Sequence, residues 1–171
     1  TFADVASLAV DILATNKSLR RYYKQAYKYV MIDEFQDNNE QQKELLYLLS
    51  EQLDREGDGI PLARDLKTDK LFFVGDEKQS IYRFRGSDVS VFKRLSSELT
   101  ANGGRYIQLA TNYRSEPALI QWFNTIFPLV MQNNGEAYEA DFSPLGYRSA
   151  SPGVQSRCTI LVKPYEENSD E

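Results

Sequence analysis

Histidine is absent from the chain. Serine–histidine and cysteine–histidine nucleophiles are therefore excluded, as are imidazole metal ligands. The single cysteine, Cys158, rules out an internal disulfide and fits a reducing compartment. Any metal should be a hard cation held by oxygen, such as Mg2+. No apolar run is long enough to span a bilayer, so no membrane partner is expected. The start, "TFADVASLAV", lacks the basic segment and cleavage site of a signal peptide. It also lacks an initiator methionine, and the chain is expected to be a piece of a longer protein. There is no surplus of basic residues: 20 Lys and Arg face 25 Asp and Glu, a net charge of −5. That argues against a wholly basic nucleic-acid binder but leaves room for a local basic or stacking groove. The phosphate-binding pattern G-x-x-x-x-G-K-[ST] is missing as well.

What is there suffices for a packed core. Of 171 residues, 42% are hydrophobic and 12% aromatic, which excludes global disorder and suits one domain or two small incomplete ones. Phe2, Val5, Leu8, Ile12 and Leu13 recur at helical spacing over residues 2–14. "NKSLRRYYKQ" predicts a further basic helical turn or two. "YVMI" (29–32) and "KLFFVGD" read as buried strands, each ending in Asp. Between them lies a helix capped by Asp37 or Asn38, with Leu45, Leu46, Leu48, Leu49 and Leu53 on one side. Residues 54–69 are rich in Gly and charge and predict an exposed loop. "SDVSVFKRLSSEL" predicts a helix opened by Asp88 or Ser87, and "RYIQLAT" a third strand. "SEPALIQWFNTIFPLVMQ" predicts a helix with a Ser cap and an early Pro. "CTILVKP" predicts one more strand, and residues 166–171 a frayed tail. Strands alternating with helices give an α/β class with a parallel sheet, whose ligand sites lie at the carboxyl ends of the strands.

Three stretches carry chemistry. "VMIDEFQD" places Asp33 and Glu34 at a strand end, where one carboxylate can hold Mg2+ through water and the other can orient an attacking water. The strand must bend there, because adjacent side chains of an extended chain point to opposite sides. The plainer reading is a polar strand-to-helix turn. "VGDEKQSIYRFRG" offers a turn at Gly75, a carboxylate at Asp76 and an amide at Gln79 able to read a γ-phosphate. Tyr82 and Phe84 alternate with Arg83 and Arg85, the mixture that sequence-independent single-strand binding uses. The plainer reading is a turn with packed rings and solvated arginines. "LATNYRSEP" offers Tyr113 for stacking and Arg114 for charge on a transferring phosphoryl group. Alone, it is any loop.

Together "VMIDEFQDNNEQQ", "LFFVGDEKQSIYRFRGSD" and "IQLATNYRS" resemble motifs II, III and IV of the UvrD/RecB-type superfamily 1 DNA helicases, in the right order. The run "GDEKQSIYRFRG" is the most specific part, and "FADVASLAVDIL" resembles the segment before motif II. "FNTIFPLVMQ" and the irregular stretch after it are most similar to RecB/AddA-type helicase–nuclease subunits. The resemblance implies a RecA-like fold of P-loop NTPase type: residues 1–112 in a first motor domain, residues 113–165 opening a second. It implies ATP and Mg2+ as cofactors, and single- and double-stranded DNA as partners. The rest of the parent chain, with its phosphate-binding loop upstream, would be a further partner, alongside a helicase–nuclease partner subunit in a bacterial-type cytoplasm. Asp33 would coordinate Mg2+ and Glu34 would activate water. Gln36 would help bind the nucleotide, and Gln79 would sense its γ-phosphate. Tyr82 and Phe84 would meet DNA, and Arg85 would contact DNA or buttress the carboxylates; Phe84 stands where many relatives carry tryptophan. Tyr113 would stack on adenine and Arg114 would serve as an arginine finger in cis. The implied activity is 3′–5′ translocation driven by ATP hydrolysis, with the isolated chain inactive. The alternative is a non-catalytic single-strand-binding or structural RecA-like module.

Overall fold

The computed structural model describes residues 2–55, 57–80, 88–132, 135, 139–140, 142–154, 157, 159 and 161. In chain order these form helices α1 (Phe2–Thr15) and α2 (Lys17–Ala26), strand β1 (Val30–Ile32), helix α3 (Glu40–Ser50), strand β2 (Leu71–Phe73) and helix α4 (Val89–Ala101). Strand β3 (Thr111–Asn112), helix α5 (Pro117–Val130) and strand β4 (Gly146–Tyr147) complete the order. Two compact units result, Thr1–Ile107 with Asn133–Ala140, and Gln108–Gln132 with Asp141–Glu171. Strands β3 and β4 both lie in the second of these units.

In the first unit β1 and β2 run parallel, with Val30 opposite Leu71 and Ile32 opposite Phe73. Their carboxyl ends therefore lie side by side. Alternation sends Val30, Ile32, Leu71 and Phe73 toward the core. The other face is bare: Met31 and Phe72 are 69% and 54% exposed, so these strands are covered on one side only. The core joins Phe35, Leu46, Tyr47, Leu66, Val91 and Leu95. Phe35, Phe73 and Phe92 form a triangle of rings with centroids 5.2 to 6.1 Å apart.

Helix α3 does not present a single leucine face. Leu46 and Tyr47 enter this core, whereas Leu48 packs with Val10 and Leu13 of α1 in a second cluster. On α1, accordingly, Val5, Leu8 and Ile12 are exposed, and Val10 and Leu13 are buried. The α3 cap is Asn39 rather than Asp37 or Asn38, because a 3-10 turn, Phe35–Asp37, intervenes. Asn39 and Gln42 form a reciprocal capping box, worth about 1 kcal/mol.

Residues 54–69 are more than an exposed loop. Pro61, Asp65 and Leu66 are buried, and Ala63–Asp65 forms a 3-10 turn. The segment is gripped by a buried ionic cluster. Glu51 forms an ion pair with Arg20 at 2.6 Å and accepts Lys24 Nζ at 3.0 Å. Lys24 also donates to the Gln52 and Arg55 carbonyls, and Arg20 to those of Gly57 and Gly59. Each charge of this cluster is thus paired, as burial demands, although Nε and Nη2 of Arg20 make no hydrogen bond among the described residues.

The second unit is built otherwise. The strand predicted over "RYIQLAT" is reduced to Thr111–Asn112, and Leu109 before it is 83% exposed; Tyr106 and Ile107, 66% and 75% exposed, lie in the first unit. Only Ile120 is a buried hydrophobic residue of this unit among the described residues. Polar side chains hold the rest. Asn124 bridges the N–H and carbonyl of Leu145 at 2.9 Å each. Glu116, not Ser115, caps α5; Ser115 gives its N–H to Asn112 instead. The predicted strand "CTILVKP" falls largely outside the described residues. Among the described residues, no helix is long and apolar enough to cross a membrane.

Candidate active site at the strand ends

The bend required after β1 is present. Glu34 adopts a left-handed backbone, φ 52° and ψ 44°, which costs a non-glycine residue about 1–2 kcal/mol. Two bonds hold it: Val74 N–H donates to Ile32 O, and Phe35 N–H donates to Val74 O, both at 2.9 Å. Phe35, fully buried, anchors the turn from below, and burial of such a ring stabilises by about 1.5–3 kcal/mol. The apolar wedge thereby offsets the local backbone cost. Asp33 and Glu34 are both left exposed at this edge. One Asp33 oxygen accepts the Glu34 N–H at 2.9 Å.

Gln36, predicted among the nucleotide-binding residues, faces inward. It is 1% exposed. Its Nε2 donates to Glu34 Oε2 at 2.7 Å, and its Oε1 accepts the Asp76 N–H at 3.0 Å. The amide is thus occupied by protein at both ends. Ser80 Oγ donates to the Gln36 carbonyl at 3.3 Å. Asp37 Oδ1 is buried with no hydrogen-bond partner among the described residues.

At the end of β2, Asp76 opens a 3-10 turn, Glu77–Gln79. Its Oδ1 accepts the Lys78 N–H at 3.1 Å and pairs with Lys78 Nζ at 2.9 Å. Its Oδ2 accepts Gln79 Nε2 at 3.0 Å. Burial pushes the Asp76 carboxyl up, but the hydrogen bonds from Gln79 and Lys78 and the Lys78 charge outweigh it, and the net direction is down. The exposed Gln79 thus stands at the same edge as Glu34, with its amide nitrogen on Asp76.

In the second unit Tyr113 is 74% exposed, and Arg114 is exposed as well. Asn112 Oδ1 accepts the N–H groups of Arg114 and Ser115 at 3.0 and 2.9 Å, which shapes the turn. Arg148 donates to the Tyr113 carbonyl at 3.1 Å and pairs with Glu116. Sequence reasoning does not find Arg148; no local pattern connects it to Tyr113. Tyr82, Phe84 and Arg85 lie outside the described residues.

The donor set bears on metal chemistry. No group of three carboxylates or thiols converges among the described residues. A single exposed Asp33 carboxylate fits Mg2+, which keeps several waters and binds through one or two carboxylates plus substrate phosphates.

The chain is 32% identical over 178 residues to an ATP-dependent helicase/nuclease subunit from Streptococcus sanguinis (strain SK36), covering 99% of this chain. It is 37% identical over 176 residues to the protein of the same name from Streptococcus pyogenes serotype M18 (strain MGAS8232), again over 99% of the chain. The chain spans 13% of the length of each of these relatives. Residues 1–100 match the model of the UvrD/REP helicase N-terminal domain. With the parallel strand ends, the acidic turn at Asp33–Glu34 and this match over more than half of its length, the chain belongs to the UvrD/REP helicase N-terminal domain family.

Proposed function

We propose that this chain is the central part of an ATP-dependent DNA helicase of the helicase–nuclease type, in which ATP hydrolysis drives 3′–5′ movement on single-stranded DNA. One observation carries the reading. Asp33, Glu34, Asp76 and Gln79 all lie at the adjoining carboxyl ends of two parallel strands, where α/β sheets place their ligands. The first unit supplies the hydrolytic groups. Asp33 would hold Mg2+, which when bound neutralises charge on the β- and γ-phosphate oxygens. Glu34 orients the attacking water and accepts its proton. Gln79 exchanges its bond to Asp76 for one to the γ-phosphate. In the second unit, Arg114 stabilises charge on the transferring phosphoryl group and Tyr113 stacks on adenine. Tyr82, Phe84 and Arg85 contact DNA. The phosphate-binding loop would lie in the rest of a longer parent chain, which would work with a separate partner subunit in the DNA-containing cytoplasm.

The test is DNA-stimulated phosphate release by the full-length protein carrying Glu34→Gln. ATP affinity should stay within about threefold and turnover should fall by at least about 10²-fold, the scale of general-base loss. Turnover near wild type would remove Glu34 from this role.

A further inference from the structure

Gln36 is the most enclosed polar side chain at the strand ends and the one that joins them. Its amide spans from Glu34 Oε2 (2.7 Å) to the Asp76 N–H (3.0 Å). The orientation of that amide is over-determined. The Asp76 N–H can only donate, so it must meet the oxygen; the Glu34 carboxylate can only accept, so it must meet the nitrogen. A flipped amide would oppose like poles at both ends. The side chain is 1% exposed, so water does not compete for either bond. Glycine at position 75 permits the approach: a Cβ there would stand 2.8 Å from Gln36 Oε1 and 3.3 Å from Gln36 N. Asp76 in turn holds Gln79 at 3.0 Å. An exposed glutamate would otherwise explore many rotamers. Here one of its oxygens is tied to a buried, immobile donor, leaving the other to face water.

We propose that Gln36 is a positioning residue, which fixes the Glu34 carboxylate for water activation and ties it to the loop that carries Gln79. The proposal rests on the reading of Glu34 as the activating group. It assigns Gln36 no contact with the nucleotide. A merely structural Gln36, satisfying the Asp76 N–H and nothing more, would act independently of Glu34. A positioning Gln36 acts only through it.

A double-mutant cycle in the full-length protein separates the two. Gln36→Glu keeps an acceptor for the Asp76 N–H and sets a second carboxyl against Glu34 in place of the neutral amide donor. Single-turnover phosphate release with protein in excess reads even slow variants, and a fluorescent ATP analogue reads affinity. Gln36→Glu should slow release by roughly 10- to 100-fold, the scale for a misplaced reacting group, with affinity within about twofold. In the Glu34→Gln background the same change should add less than about threefold. Equal factors in both backgrounds, unchanged release, or a matching loss of affinity would each overturn the proposal. Wild-type release by Glu34→Gln alone would instead sink the reading of Glu34, a distinguishable failure. If Gln36→Glu does not fold by circular dichroism, Gly75→Ala decides through the same cycle, because its Cβ would stand 2.8 Å from the Gln36 amide oxygen and 3.2 Å from the Phe92 ring. It too should slow release, and only when Glu34 is present; no effect, or an equal effect in both backgrounds, counts against the proposal.

Discussion

Glu34 and Arg114, each proposed for a role in phosphoryl transfer, are mounted differently. Glu34 stands on a turn whose next residue, Phe35, is buried in an aromatic triangle, and its carboxylate is gripped by the enclosed Gln36. Arg114 stands on a turn shaped by Asn112, behind which Arg148, Glu116 and Ser151 form a polar clamp. The first unit buries two hydrophobic clusters, whereas the second buries Ile120 alone among its described residues. Apolar burial is insensitive to charge, while a clamp of carboxylate, guanidinium and hydroxyl depends on protonation. The proposed base thus stands on an apolar mount, and the proposed arginine finger on a polar, protonation-dependent one.

The largest effect should come from breaking the apolar mount. Phe35→Ala removes a fully buried ring from the core and should cost about 3–5 kcal/mol, a large share of a domain's total stability. Urea unfolding followed by far-ultraviolet circular dichroism measures it. A loss below about 1 kcal/mol would mean that the ring is not the anchor of the turn.

A smaller effect distinguishes the polar mount. Hydrogen bonds from the Ser151 hydroxyl, the Ser151 N–H and Arg148 hold the Glu116 carboxyl down to about 2, against an ordinary 4.5. A carboxyl lowered by folding stabilises above its unfolded value and loses that contribution as pH falls toward the folded one. The second unit should therefore weaken between about pH 4.5 and about pH 2. The only tryptophan, Trp122, lies on α5 and reports on this unit by fluorescence. Glu116→Gln should flatten that acid response. An unchanged response would show that the clamp does not carry the unit.

The smallest effect concerns the helix that leads away from the site. Asn39→Ala opens the capping box of α3 and should cost about 1 kcal/mol, with little change in turnover. A collapse of turnover in a folded Asn39→Ala variant would mean that α3 takes part in catalysis.

Much of the first unit is legible in the sequence, because local patterns coincide there with tertiary demands. β1, β2 and α4 fall where apolar runs and the Asp88 cap place them. The acidic exit of β1 points to a bend, and the bend is the left-handed Glu34. What is not legible depends on partners distant in sequence. Arg20 and Lys24 look like solvated charges on a basic helix, but are buried on Glu51 and neighbouring carbonyls. That cluster orders a segment whose composition reads as loop. The alternation in "RYIQLAT" reads as strand, yet its apolar residues are mostly exposed and only Thr111–Asn112 pairs. The inward turn of Gln36 depends on Asp76, a partner forty positions away.

The most direct test is a crystal structure of the full-length protein with Mg2+ and a non-hydrolysable ATP analogue. The account predicts the γ-phosphate at the ends of β1 and β2, with a water against Glu34. Gln79 should have moved from Asp76 to the phosphate, and the Gln36–Glu34 hydrogen bond should be intact. A γ-phosphate bound away from this edge, or a Gln36 amide turned onto the nucleotide, would contradict it.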